Sequence, residues 1–447
     1  MEIALSIFYS AVFIFFIYRL NFFKISGVSR RWLAAIFLSK VIAGTLLMLI
    51  YTNYYKTRES ADVFKYFDDS KIIFSAVYEN PVDYARMVTG IQSNRPNLEK
   101  YYQTCDYWYK DHNYKLYNDN RTVIRFNAIV MLLSFGYFSV HTVFMAFLSF
   151  LGLFALFKVY YRHLQSKKTL LFVVLFFVPS VMLWTSGVLK EGLLMFGLGM
   201  LVYYLNKLSV GQFRISYIFL FLLMLSLLVI TKVYVLIAAL PGLAIFYWFN
   251  RWGTKRHLLK FLLFHLLIII VAFNSKYIIP SYDLPYILAH KQHDFIGMVD
   301  GMQNVGSKID LPVLEPTGLS ILINSPNALF NSLVRPHPLE IDSMMMALAS
   351  LENLFVLIFL IICLCFSNRE KLLSGLNLFY FGISFALLLF IITGLTTPVL
   401  GAVVRYKAPA IPFLLMAFLL LLDINKLYRF VNKIIRPFNL KIKTNDK

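Results

Sequence analysis

In the stretch PSVMLWTSGVLKEGLLM, residues 179–195, Lys190 and Glu191 stand side by side in an otherwise apolar sequence. Other ionisable groups are set in the same way. Lys232 interrupts LVITKVYVL, VRPHPLE carries Arg335, His337 and Glu340, Glu352 lies in ASLENLF, and Arg405 lies in GAVVRYKAPAIPF. Asp62, Asp68 and Asp69 fall together in ESADVFKYFDDSK. Charges in apolar surroundings are costly and tend to face a polar cavity. Lys and Arg can bind a phosphate and stabilise it as it leaves. A carboxylate can take the proton of an acceptor hydroxyl, and Asp62 is the best candidate base. The set suits transfer from a lipid-linked phosphate, whose headgroup is anionic and whose tail needs a lipid-exposed groove.

Each group also has a plainer structural reading. Lys190 and Glu191 can snorkel to an interface. Lys232 can cap a hairpin, Arg405 can pair with Glu352, His337 can pack between prolines and Asp68 can be solvated. The gathering of these groups on one side carries the argument, and no single member does.

The elements that must hold them are membrane helices. Of 447 residues, 59% are hydrophobic and only 15% are charged, against about half and about a quarter in a soluble chain. Apolar runs fall at about 3–19, 33–52, 140–158, 169–185, 189–206, 215–231, 233–250, 258–274, 351–366, 374–393 and 407–423. Many approach the roughly 20 residues that cross a bilayer. The predicted fold class is all-α, a polytopic membrane protein of about eleven transmembrane helices. The first run has no basic segment before it and no small-residue cleavage site, so it is read as a helix and not a signal peptide.

Short basic loops separate the runs, among them KISGVSRRW, KVYYRHLQSKK, NRWGTKRHLLK and SNREK. Such loops stay cytoplasmic, and they account for the net charge of +20 without nucleic acid. All of them share one side only if residues 122–139 lie at the outer interface as an amphipathic helix. The alternative is a true crossing, which puts one basic loop on the wrong side. The model that follows has an outside N-terminus, large outer loops at 53–139 and 275–350, and a basic cytoplasmic tail at 424–447. Its parts are an N-terminal helix and loop at 1–32, a core at 33–274, the second outer loop, and C-terminal helices at 351–423. Cys105, Cys363 and Cys365 support neither a disulfide framework nor a zinc site. No Walker-type loop, HExxH or dinucleotide fingerprint is present. A divalent cation near the three aspartates remains open, since their spacing fixes no coordination geometry.

The layout resembles the C-type glycosyltransferase superfamily, multi-span enzymes that use polyprenyl-phosphate sugars. Their catalytic acid lies in the first large outer loop, in a pattern close to Asp-(Glu)-x-x-x-Tyr. Here ADVFKYFDDS gives Asp62 and Tyr66, then Asp68 and Asp69, with Val63 where the family has Glu. In the family an outer-interface helix and a basic-ended crossing follow, as in residues 123–163. The next hairpin carries Pro and a polar or charged pair, matched by Lys190 and Glu191. The last helix begins Arg-Tyr and then Pro, matched by Arg405 and Tyr406. The resemblance covers roughly residues 33–423. An extra N-terminal helix and the lack of a soluble C-terminal domain are departures. The chain is also similar to bacterial envelope-polysaccharide membrane proteins with SG-x-x-K-E and RP-x-P-x-E turns.

The resemblance implies an enzyme of the bacterial cytoplasmic membrane. It would move a sugar from polyprenyl phosphate to a glycan, lipid or protein. Asp62 is the expected base, with Asp69 second. Lys190, Lys232, Arg335 and Arg405 are expected at the donor phosphate. Glu191, His337, Glu340 and Glu352, with Tyr66 and Tyr406, are expected to orient the cations or the acceptor. The first alternative is an oligosaccharide polymerase or ligase centred on Arg335 and Arg405, with Asp62 dispensable. The second is a transporter or flippase, which predicts matched discontinuous helices near the midplane; no such matching is seen.

Overall fold

The computed structural model describes residues 1–54, 58, 61–109, 117–253, 255–302 and 306–435. Part of the Tyr-rich stretch within 53–139 and residues 436–447 of the basic tail lie outside the described residues. In chain order the helices are α1 (Glu2–Arg19), α2 (Arg30–Tyr54), α3 (Asp62–Glu79), α4 (Pro81–Thr89), α5 (Asn120–Ser134) and α6 (Phe138–Tyr161). Next come α7 (Lys168–Phe176), α8 (Pro179–Trp184), α9 (Lys190–Ser209), α10 (Ile215–Trp252), α11 (His257–Phe273) and α12 (Leu284–Asp300). The last are α13 (Gly318–Leu333), α14 (Met344–Cys365), α15 (Leu376–Thr396), α16 (Leu400–Lys407), α17 (Ile411–Leu421) and α18 (Ile424–Ile435). Among the described residues there is no strand; two isolated antiparallel bridges join Lys308 to Val399 and Ser367 to Leu422.

Among the described residues, eight helical segments are long and apolar enough to cross a membrane: α1, α2, α6, α9, α10, α14, α15 and the stretch Leu400–Leu421. Large apolar side chains on α1, α10, α11 and α14 are left exposed, as lipid-facing surfaces are. Length and composition make this a helical membrane protein. Three places account for the difference from the eleven runs expected. The run 169–185 breaks into α7 and α8 just before Pro179, where the residue preceding proline is driven out of the helical region. The two runs on either side of Lys232 are two helices that meet at a kink, with non-helical angles at Lys232 (φ −157°, ψ 87°), and α10 takes in both. The run at 258–274 forms a helix of 17 residues. The disputed stretch at 122–139 gives α5, of 15 residues, or about 22 Å at 1.5 Å per residue, short of a core of roughly 30 Å.

The chain divides into two compact units, residues 1–158 with 179–236, and residues 159–178 with 237–447. In the first unit, α3 packs against α4 and α5, α1 against α2, α2 against α8, and α9 against α5. The inner face of α3 repeats at helical spacing: Val63, Phe64, Tyr66, Phe67, Ser70, Ile73 and Ala76 are buried. Helix α3 ends at Asn80, whose side chain then caps α4 by accepting from Val82 N–H, with Pro81 in the first turn. Helices α6 and α9 meet backbone to backbone. A Cβ on Gly199 would stand 1.9 Å from the Gly152 carbonyl oxygen, and one on Gly152 would stand 2.2 Å from that of Met195. Small residues allow such approach where apolar burial gives no preference for helix over lipid. Gly199→Val is expected to cost about 1–3 kcal/mol or more by overpacking and to abolish the monodisperse peak in detergent size-exclusion. Gly297→Ala, with nothing within 4 Å of the added atom, serves as the neutral control.

Basic segments of the first unit meet at one end. Lys158 donates to the Phe22 carbonyl at 2.7 Å and lies over the rings of Phe22 and Tyr203; Lys207 also lies over Tyr203. In the second unit, α15 packs against α12, α13 and α17, and α17 packs against α7 and α14. Its basic segments also converge: Lys167 donates to the Leu419 carbonyl at 2.8 Å, Asn368 to Asp423 at 3.1 Å and Asn377 to Asn250.

Candidate functional site

In the first unit the acidic loop and the Lys-Glu turn come together. Asp62 lies in the first turn of α3, where the helix dipole favours a negative charge. One of its carboxylate oxygens accepts from the Tyr107 hydroxyl at 2.7 Å. The Tyr107 ring lies 5.4 Å from that of Tyr66, and Lys65 stands over it at 4.6 Å. The Tyr66 hydroxyl donates to Asn120 at 3.2 Å. Lys190, at the start of α9, stands over the Tyr66 ring at 5.7 Å and pairs with Asp119 at 2.8 Å. The neighbouring Glu191, fully buried, pairs with Lys232 at 2.8 Å. Thr122, on α5, donates to the Ile230 carbonyl two residues before the break in α10. The break is what lets Lys232 turn its ammonium onto Glu191.

The question raised by two adjacent charges in an apolar stretch therefore has a geometric answer. Lys190 and Glu191 are consecutive at a helix start, and each has a separate partner of opposite charge. The Lys190–Asp119 pair is the more open of the two, with Asp119 24% exposed against 5% for Lys232.

Asp69 occupies a different kind of position. Its two carboxylate oxygens accept the backbone N–H groups of Asp106 and Tyr107 at 2.9 and 2.8 Å. This latches the chain that carries Tyr107, so Asp69 positions the hydroxyl that reaches Asp62. Burial pushes its carboxyl up to about 6, against the lowering effect of the two N–H bonds. The sign follows: a folded value above the unfolded one favours the fold most below about pH 4, and that contribution is lost as pH rises through about 6. The stability of wild type relative to Asp69→Asn is expected to fall between pH 4 and pH 7; a flat difference in paired thermal melts contradicts this. Asp68 is held by Arg58 at 2.8 Å on the exposed side of α3. Asp62 and Asp69 thus share Tyr107, through its hydroxyl and its backbone N–H, whereas Asp68 turns to Arg58. Among the described residues no group of three His, Cys, Asp or Glu side chains could hold a metal ion.

In the second unit the RP-x-P-x-E turn is self-braced. Arg335 pairs with Glu340 and donates to Asn331 at 3.3 Å, while the His337 N–H donates to Glu340 at 3.1 Å. Burial alone would raise the Glu340 carboxyl, but Arg335 and the His337 N–H hold it below the usual carboxylate range. Buried beneath the turn, Lys407 donates to the Ser332 carbonyl at 2.7 Å, to the Arg335 carbonyl at 3.4 Å and to Asn353 at 2.8 Å. Asn353 in turn donates to the Pro336 carbonyl at 3.0 Å. Glu352, next to Asn353 on α14, is also buried, whereas Arg405 and Tyr406 are half-buried on α16.

Sequence reasoning passed over Lys40, Asp119, Tyr107 and Lys407. Lys40 is fully buried in α2 and donates to Thr185 at 2.8 Å. A lone lysine in an apolar run singled out Lys232, and the same signal marks Lys40 in FLSKVIAG. Lys407 follows Arg405 and Tyr406 directly. Asp119 and Tyr107 carry no such signal, because they stand in polar sequence that reads as solvated loop. Comparisons with protein-family models, with curated proteins and with solved structures give no match for this chain.

Proposed function

We propose that the protein is a membrane glycosyltransferase using a polyprenyl-phosphate sugar, with Asp62 as general base. The observation that carries the reading is the cluster in the first unit: a carboxylate held by Tyr107, in a network that continues through Tyr66 to the Lys190–Asp119 pair. In the proposed step an acceptor hydroxyl passes its proton to Asp62 while its oxygen bonds to the anomeric carbon. The bond from that carbon to the phosphate oxygen breaks, and polyprenyl phosphate leaves as an anion. Lys190 takes up that charge by exchanging Asp119 for phosphate, and the buried Lys232–Glu191 pair holds the start of α9 in place. Aromatic side chains beside the acid suit the apolar face of a sugar ring.

The convergence of basic segments at one end of each unit supports cytoplasmic basic loops, with residues 53–139 and 275–350 outside. The same bias supports a bacterial cytoplasmic-membrane location with a cytoplasmic tail. A polymerase or ligase acting on a lipid pyrophosphate is the second reading. It is favoured by the buried Lys407 under the Arg335 turn and would use Arg335 and Arg405, with His337 and Glu340 as orienting groups.

The test is mass spectrometry of envelope glycans and lipid-linked sugars in cells carrying wild type, Asp62→Asn or Arg335→Ala at equal expression. Loss of one sugar with accumulation of its lipid donor in Asp62→Asn supports the transferase. Shortened chains of complete repeat units in Arg335→Ala, with Asp62→Asn normal, replace it by the polymerase.

A further inference from the structure

Helix α17 ends at Leu421, and after Leu422 and Asp423 the chain enters α18. Asp423 caps the new helix, its carboxylate accepting from the N–H groups of Asn425 and Lys426 at 3.1 and 3.4 Å. The sequence INKLYRFVNKII then divides cleanly at 100° per residue. Lys426, Arg429 and Lys433 fall within an arc of about 60°, and all three are exposed. Leu427, Val431 and Ile434 occupy the opposite side, with Phe430 at its edge. No acidic residue interrupts the helix.

The first half of the helix is tied to its own unit. Lys426 donates to the Ser367 carbonyl at 3.0 Å, and Phe430 meets Phe366 at 5.2 Å between ring centres. The apolar side is only partly covered: Leu427 and Val431 are half-buried, while Phe430 is 50% and Ile434 53% exposed. A strongly two-faced basic helix of this kind lies in a membrane interface, with its apolar side in the acyl boundary and its cations among headgroups. Its charge sets the chemistry of the partner, since Lys and Arg are drawn to an anionic lipid surface. Continuity with the stretch Leu400–Leu421, which is long and apolar enough to cross a bilayer, sets the level at which the helix emerges.

We infer that α18 is an interfacial helix that docks on anionic phospholipid headgroups at the membrane end where α17 terminates. The purified full-length protein is placed in nanodiscs of pure phosphatidylcholine or of phosphatidylcholine with phosphatidylglycerol, and amide exchange is followed across residues 424–435. Exchange is expected to be on the order of tenfold slower in the anionic discs and to speed up with salt. The variant Lys426→Gln/Arg429→Gln/Lys433→Gln removes the dependence on lipid charge, while Ile434→Glu weakens protection in both discs. Equal exchange in the two lipids overturns the inference. So does protection that follows protein copies per disc instead of lipid charge, which assigns the face to a second copy of the chain.

Discussion

Glu191→Gln leaves the Lys232 ammonium buried without its counter-charge and is expected to cost about 3–5 kcal/mol, the usual penalty for breaking a buried pair from one side. The pair is 0% and 5% exposed at 2.8 Å, so solvent cannot take over the lost interaction. The measurement is thermal unfolding in detergent, read as loss of the monodisperse species. Glu191→Leu with Lys232→Met removes both charges at similar volume, and such replacements are often neutral or stabilising. The double variant is expected to recover most of the lost stability. Its activity then separates two roles. A stable, active double variant makes the pair a brace, whereas a stable, inactive one makes it part of the phosphate site.

Asp62→Asn is expected to lower sugar transfer by about 10²–10⁴-fold, the range of general acid–base contributions, with little change in folding. The shape is conserved, and Tyr107 can still donate to the amide oxygen. Tyr107→Phe removes only the 2.7 Å bond that orients the carboxylate and is expected to lose about ten- to a hundredfold, from the roughly 1.5–3 kcal/mol of a bond to a charged group. Both variants are compared in a reconstituted assay with a polyprenyl-phosphate donor, with kcat and KM measured separately. Loss in kcat at constant KM fits a base and its positioning partner. Full activity in Asp62→Asn removes the residue from the chemistry.

The helical membrane class was legible because apolar runs and basic punctuation report directly on bilayer thickness and charge placement. What lay hidden was where runs join or break. Pro179 divides one run, an outcome set by local backbone angles, whereas the bend at Lys232 stands between two helices as its charge in an apolar run suggested. The same limit applies to the site. Lys190, Glu191 and Lys232 stood out because charge in apolar sequence is rare. Asp119 and Tyr107 did not, since their importance comes from distant partners: Tyr107 reaches Asp62 across 45 residues of chain. Sequence gave no means to tell the aspartate that faces a hydroxyl, Asp62, from the one that fastens a backbone, Asp69.

The lysine buried in α2 bears on how the protein is made. A lysine near the centre of a spanning helix raises the apparent cost of insertion by roughly 2.5–3.5 kcal/mol. Lys40 meets Thr185 only after 145 further residues have been synthesised. During that interval α2 must enter the bilayer on the strength of its other apolar residues, with the ammonium drawn toward water or an early neighbour. Efficient insertion of α2 thus depends on a partner that arrives late, and truncation before α8 should leave this helix the weakest-anchored part of the nascent chain.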